Sequence, residues 1–129
     1  MFLYKEESDK ILAAFFEVNR HLQTGLAESV YEKALVYELR QEGLLAEDQK
    51  HLQVHYKGMI IGEFIPDVIV NNKIILELKA VSCISSEHKA QLINYLSITG
   101  YKVGYVLNFS GDRRFERCIY YPAANDVNK

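Results

Sequence analysis

Asp67, Glu77 and Lys79 are the residues whose types and spacing could do chemistry, and they stand in one run, IPDVIVNNKIILELK, covering residues 65–79. Most of that run is apolar. Burying carboxylates among apolar neighbours is unfavourable unless they pair or bind a metal. One reading is therefore a hard-metal site. Asp67 and Glu77 would supply oxygen ligands to Mg²⁺ or Mn²⁺, which favour carboxylates and keep several waters. Lys79 would orient or deprotonate an attacking water, or steady a phosphate oxygen. The competing reading is a solvated strand face with an ordinary Glu/Lys pair, worth little to stability. The run alone does not choose between them.

The elements that must position these groups follow from periodicity. Residues 67–70 and 73–79 are β-branched segments on either side of Asn71-Asn72. Asn tolerates the left-handed backbone of a tight turn, which predicts a β-hairpin. Alternation puts Ile75, Glu77 and Lys79 on one face and Leu76, Leu78 and Ala80 on the other, with Asp67 on the neighbouring strand. Before the hairpin, residues 4–22 show an apolar stripe at helical spacing through Ile11, Leu12, Phe15, Phe16 and Val18. A second helix is expected over 27–41, with Val30, Leu35 and Leu39 inward and Gly43 beyond its end. Its first turn places Glu28 and Tyr31 on one face. Glu28 there also suits the helix dipole, and Tyr31 suits a half-buried ring.

From residue 50 the period changes to two. HLQVHYK and MIIGEFIPDVIV predict two strands joined at Gly58, with a bulge or edge irregularity at Gly62 or Pro66. With 73–79 they form a three-stranded meander. His51 and His55 are read as solvated. Ser85 or Ser86 caps a helix over 87–99 closed by Gly100, with Ala90, Ile93 and Leu96 inward. His88, Gln91 and Tyr95 stack on its flank, placed either to meet Lys79 and a phosphate or as an amphipathic rim. KVGYVLNFS and RRFERCIYY give two last strands. Arg113, Arg114, Arg117 and Lys102 form a modest cluster for phosphate contacts or a solvated edge strand. The tail PAANDVNK is expected to fray.

Composition sets bounds. The 129 residues are 49% hydrophobic and 25% charged, with net charge −2, as expected of one globular domain over 1–129 with an ordered core over 4–121. A dedicated nucleic-acid coat would be basic, so a polyanion must be met by a local patch, metal ions or a second subunit. No run is long enough to span a membrane, the opening MFLYKEESDK lacks signal-peptide layout, and Cys83 and Cys118 follow no metal spacing. A cytoplasmic protein with reduced thiols is expected.

The order of elements resembles the PD-(D/E)XK nuclease superfamily: an acid in an early helix, Pro-Asp on one strand, Glu-x-Lys on the next, then a Gln-bearing helix. The match is closer to its GxxExxY branch. Residues 25–31, GLAESVY, carry that signature. Glu77-Leu78-Lys79-Ala80-Val81, His88-Lys89-Ala90-Gln91, Asn94-Tyr95-Leu96 and Leu107-Asn108-Phe109 look like its recurrent blocks. The likeness covers about residues 11–119, and Gln23-Thr24 stands where the branch often has a Gly-Pro-like turn. It implies an α/β (α+β) restriction-endonuclease-like core, order ααβββαββ, with helices flanking a mixed sheet. It also implies metal ligation by Asp67, Glu77, the Leu78 carbonyl and Glu28, with Lys79 as catalytic lysine and Gln91 assisting. Tyr95, Tyr31 and His88 are the expected substrate contacts. The implied activity is Mg²⁺- or Mn²⁺-dependent hydrolysis of phosphodiester bonds, with nucleic acid, DNA above all, as partner. The alternative is a non-catalytic or partner-activated binding module that kept the fold. Either is compatible with a homodimer or a protein partner.

Overall fold

Asn71 and Asn72 both adopt left-handed backbone, at φ 53° and 52°, and so close the hairpin on which the fold is built. The structure is a computed structural model, and it describes residues 2–122. The hairpin joins β4 (Val68–Val70) to β5 (Ile74–Lys79), antiparallel, with Val68 opposite Leu76 and Ile69 opposite Ile75. β6 (Val103–Asn108) lies parallel to β5, and β7 (Phe115–Ile119) runs antiparallel to β6. A parallel pair needs a crossover, here α3 (Ser86–Thr99). On the other edge of the hairpin β1 (Ala46–Asp48) pairs with β4, giving the sheet order β1-β4-β5-β6-β7. Helices α1 (Lys5–His21) and α2 (Glu28–Gln41) precede it.

The two faces of β5 separate the core into two layers. Ile74, Leu76 and Leu78 pack with Ile11, Phe15, Leu35 and Leu39 of α1 and α2. Ile75 packs with Leu92 and Leu96 of α3, together with Phe64 and Val106. Helices thus flank a mixed sheet, and the α+β class expected from the sequence is what the chain adopts. The alternation sends Glu77 and Lys79 to the α3 side, which is the geometry that matters for the site.

The expected meander divides in two. β2 (Leu52–Tyr56) and β3 (Met59–Phe64) form a separate two-stranded sheet, with Lys57 and Gly58 both at positive φ in the turn. Its register slips between Val54 and His55, beside Gly62, where a bulge is predicted. The break after β3 falls at Ile65-Pro66, since proline has no N–H to continue a ladder. The place beside β4 is taken instead by β1. The Asn71 amide donates to the Leu45 carbonyl at 2.8 Å and the Asn71 side chain accepts from the Leu45 amide at 2.8 Å, fixing that pairing. A three-residue strand is too short for periodicity to reveal.

Helix phases shift in places. Phe16 and Val30 are exposed, at 48% and 44%, while Tyr31 and Val36 are buried. In α3 the buried pair is Leu92 and Leu96, with Ala90 and Ile93 outward. Gly104 explains that phase, because a Cβ there would stand 2.9 Å from a Leu92 methyl. The glycine lets α3 sit close on β6. The tail PAANDVNK lies, except for Pro122, outside the described residues.

Gly111 has the sharpest backbone requirement. It sits at φ 57°, and an added Cβ would meet the Ser82 carbonyl oxygen at 2.0 Å. Gly111→Ala is expected to cost at least about 2 kcal/mol in urea unfolding. A loss below about half a kcal/mol would show that the Ser82 loop gives way freely.

Candidate active site

Asp67 immediately precedes β4 and, one step beyond the Val68–Leu76 pair, comes opposite Glu77 on β5. One Asp67 carboxylate oxygen, Oδ2, accepts from the Leu78 amide at 2.7 Å, which fixes its orientation and leaves Oδ1 outside that bond. Glu77 is partly buried, and its Oε1 is a buried oxygen with no hydrogen-bond partner among the described residues. Burial, and then the neighbouring Asp67 charge and hydrogen bond, push its carboxyl up to about 9; Lys79 opposes and Glu28 adds to the rise. An orphaned acidic oxygen beside a second carboxylate is a poor place for a proton-free anion and a good one for a cation.

Glu77 and Lys79 open onto a cleft of about 350 Å³ between β5, α3 and the end of β3. His88, Gln91 and Tyr95 line its α3 wall. Ser85 caps α3 by accepting from the His88 amide at 3.2 Å, while the His88 Nδ1 accepts from the Ser85 amide at 3.0 Å. His88 thus takes the place that Glu or Gln usually holds in a capping box. Gln91 Nε2 donates to the Tyr95 hydroxyl at 2.6 Å, and the Tyr95 ring stacks on Phe64 with centroids 3.7 Å apart. The hydroxyl accepts from Gln91, so its own proton is available elsewhere.

Two expected site residues lie apart from the cleft. Glu28 is exposed at the start of α2, and only its charge reaches Glu77. Among the described residues no three His, Cys, Asp or Glu side chains come together as a metal cluster, so Glu28 does not join Asp67 and Glu77 in a ligating cluster. Tyr31 is fully buried, with its ring stacked on Phe109 and its hydroxyl donating to the Gln23 carbonyl. It has no exposed surface to offer a substrate, so the expected contact is corrected to a packing role.

The arginine cluster is likewise mostly structural. Arg113 donates to the carbonyls of Asn19 and Leu22 at the end of α1, and Arg117 donates to the Leu3 carbonyl and covers the Phe2 ring. His51 Nδ1 lies 2.8 Å from Glu63, and both are largely exposed.

Several residues take up roles that sequence pattern does not assign to them. Glu63 and Phe64 line the cleft because the end of β3 packs Phe64 against Leu92, Leu96 and Tyr95 of α3 and Ile75 of β5. Glu32, one helical turn beyond Glu28, joins the acidic field: its carboxyl is raised first by burial and then by Asp67, Asp48 and Glu28, against a hydrogen bond from Gln49. The i,i+4 spacing of Glu28 and Glu32 was the available signal. Asn108 is fully buried and exchanges hydrogen bonds with both the amide and the carbonyl of Val81, at 3.1 and 3.0 Å. A lone Asn in an apolar strand was its signal.

Asp67 and Glu77 fit a hydrated hard cation held by two carboxylates, the mode in which Mg²⁺ keeps most of its waters. They do not make an all-protein cage. A folded-state value near 9 against 4.5 means that the protonated Glu77 stabilises fully below 4.5 and that this stability is lost as pH rises toward 9. Glu77→Gln is therefore expected to raise Tm in EDTA at pH 7 and to flatten the decline of stability between pH 5 and 9. Melting curves across that range check it, and an unchanged slope would show that Glu77 is solvated.

Three comparisons with known proteins bear on this site. A family model described as the PD-(D/E)XK nuclease superfamily matches residues 5–118. No curated protein matches. The solved structure described as "Crystal structure of SSO0001" aligns over 99% of this chain and 84% of its own, at 16% identity and a TM-score of 0.48, too slight a likeness for function to be carried across. With a family model spanning residues 5–118, nearly the whole chain, the protein belongs to the PD-(D/E)XK nuclease superfamily.

Proposed function

We propose that this chain is a nuclease of the GxxExxY branch that hydrolyses phosphodiester bonds, in DNA above all, with Mg²⁺ or Mn²⁺. The observation that carries the reading is the buried, unpartnered Glu77 Oε1 beside Asp67, with Lys79 on the same strand face of a cleft. Asp67, Glu77 and the Leu78 carbonyl would hold the ion, and Glu28 would add its charge to the same field. Such an ion, when bound, supplies an activated water and offsets charge on the phosphoryl oxygens.

The side chains do the rest. Lys79 steadies a phosphate oxygen and holds the water for attack. Its Nζ is in no ion pair within 4.0 Å among the described residues, so it is available for that task. Gln91 and Tyr95 act as a unit: the amide orients the hydroxyl, whose proton donates to the substrate backbone. His88, held by its Nδ1 in the cap, presents its other nitrogen as a further donor to substrate.

One observation favours a protein partner beside the nucleic acid. Tyr56, Met59, Ile60 and Ile61 on the β2–β3 hairpin are 53–61% exposed, and contiguous exposed apolar surface marks interaction sites. A second copy or an activating partner would cover it. No helix among the described residues is long and apolar enough to cross a membrane.

The test is cleavage of single-stranded, double-stranded and branched DNA, and of RNA, in Mg²⁺, Mn²⁺ or EDTA. Metal-dependent cleavage is expected, with Glu77→Ala and Lys79→Ala each reducing the rate by at least about a hundredfold. Turnover that survives Glu77→Ala would place the chemistry elsewhere. Folded protein that cuts none of the four substrates would leave the binding module as the better description.

A further inference from the structure

The GxxExxY signature contains one acidic group and two residues that touch no cleft, and the structure gives those two a task. Tyr31 lies in the first turn of α2, three residues after Glu28, and is fully buried where Glu28 is exposed. Its hydroxyl donates to the Gln23 carbonyl at 2.5 Å and accepts from the Leu26 amide at 3.1 Å, tying both ends of the segment that leads into α2. Gly25, at φ 89° within that segment, donates its amide to the Ser110 hydroxyl at 2.8 Å. The Tyr31 ring stacks on Phe109 at 5.0 Å and 10°. Ala27 at the N-cap makes no side-chain hydrogen bond among the described residues, so the lead-in segment rather than a cap holds this helix start.

The same strand end also holds the catalytic ladder. The Phe109 amide donates to the Lys79 carbonyl at 2.9 Å, and Asn108 grips Val81 two residues on. Residues 108–110 therefore fasten β5 on one side and the start of α2 on the other.

We infer that Tyr31, clamped through Phe109 and Ser110, is a positioning residue that sets Glu28 against the Asp67–Glu77 pair. The inference rests on the metal-site reading above, and it gives the motif tyrosine and glycine a role through Glu28. Glu28 is solvent-exposed and its side chain is held by no hydrogen bond or ion pair among the described residues, so its placement depends on the helix end beneath it. Removing the hydroxyl while keeping the ring frees the Gln23–Leu26 segment, loosens that end and spreads the Glu28 carboxylate over more positions.

The experiment is a double-mutant cycle in Mn²⁺ affinity, read by electron paramagnetic resonance or calorimetry without any substrate. Tyr31→Phe keeps the stack and removes the hydroxyl bonds, and Ser110→Ala removes the Gly25 anchor. Each is expected to weaken Mn²⁺ binding about tenfold, the scale of outer-shell substitutions. Glu28→Gln is expected to weaken it comparably, and Tyr31→Phe combined with Glu28→Gln to bind no more weakly than Glu28→Gln alone. Val36→Ala, which trims α2 packing away from the clamp, is expected to leave affinity unchanged. Multiplying losses in the cycle, or an equal loss in Val36→Ala, would reduce Tyr31 to a packing residue and overturn the inference while the metal site stands. Wild-type protein that binds no Mn²⁺ would overturn the metal reading and this inference with it.

Discussion

The structure depends on the cost of setting Glu77 opposite Asp67 in a partly buried antiparallel pair. Two carboxylates so placed repel, and burial removes the water that would screen them. Much of the surrounding architecture concentrates rather than relieves that strain. The Leu78 amide spends its hydrogen bond on Asp67 and none on Glu77, and Glu28 and Glu32 add negative charge from α2. Lys79 is the counter-charge acting on Glu77. An arrangement that keeps an acidic oxygen buried and unpartnered makes sense as chemistry, since a neutral side chain of similar shape would stabilise the fold better.

Holding that arrangement falls to backbone contacts more than to ion pairs. The Asn71-Asn72 turn sets the β4–β5 register, and register decides that Asp67 meets Glu77 rather than a core residue. Gly104 lets α3 approach β6 closely enough for Leu92 to pack, which in turn carries His88, Gln91 and Tyr95 to the cleft. The turn after β6 fixes the end of β5 from beyond Lys79 through Asn108, Phe109 and the Ser82 carbonyl. None of these devices engages the Lys79 ammonium in an ion pair or gives Glu77 Oε1 a hydrogen bond among the described residues.

Charge is distributed in keeping with this division. Arg113 and Arg117, which could have formed a phosphate-binding patch, are used to tie α1 and the residues before it to the β7 side of the sheet. The cleft itself is lined by two carboxylates, Glu63 and Glu77, two aromatic rings, Phe64 and Tyr95, and Lys79. Under the proposed function, attraction for a phosphate there would depend on a cation held by the carboxylates, since the chain carries a net charge of −2 and no dedicated basic coat.

By itself the sequence determined the hairpin and its faces, since alternation and two adjacent asparagines leave little choice of turn, and α1, α2 and α3 to within a residue or two. It also determined which groups could do chemistry, because Asp67, Glu77 and Lys79 are charges in an otherwise apolar stretch. Tertiary structure decided what periodicity does not encode. The meander split at Pro66, and β1 took the vacant edge through Asn71, since a three-residue strand is specified by its partner and not by its own pattern. Leu92 replaced Ile93 inside because Gly104, twelve residues away, opened the space for it. Tyr31 went from an expected substrate contact to the core because Phe109 offered a ring to stack on, while Glu63 reached the cleft only when the end of β3 packed Phe64 against α3. Local pattern fixes the direction of a side chain along its own element, and only long-range packing fixes what that side chain meets.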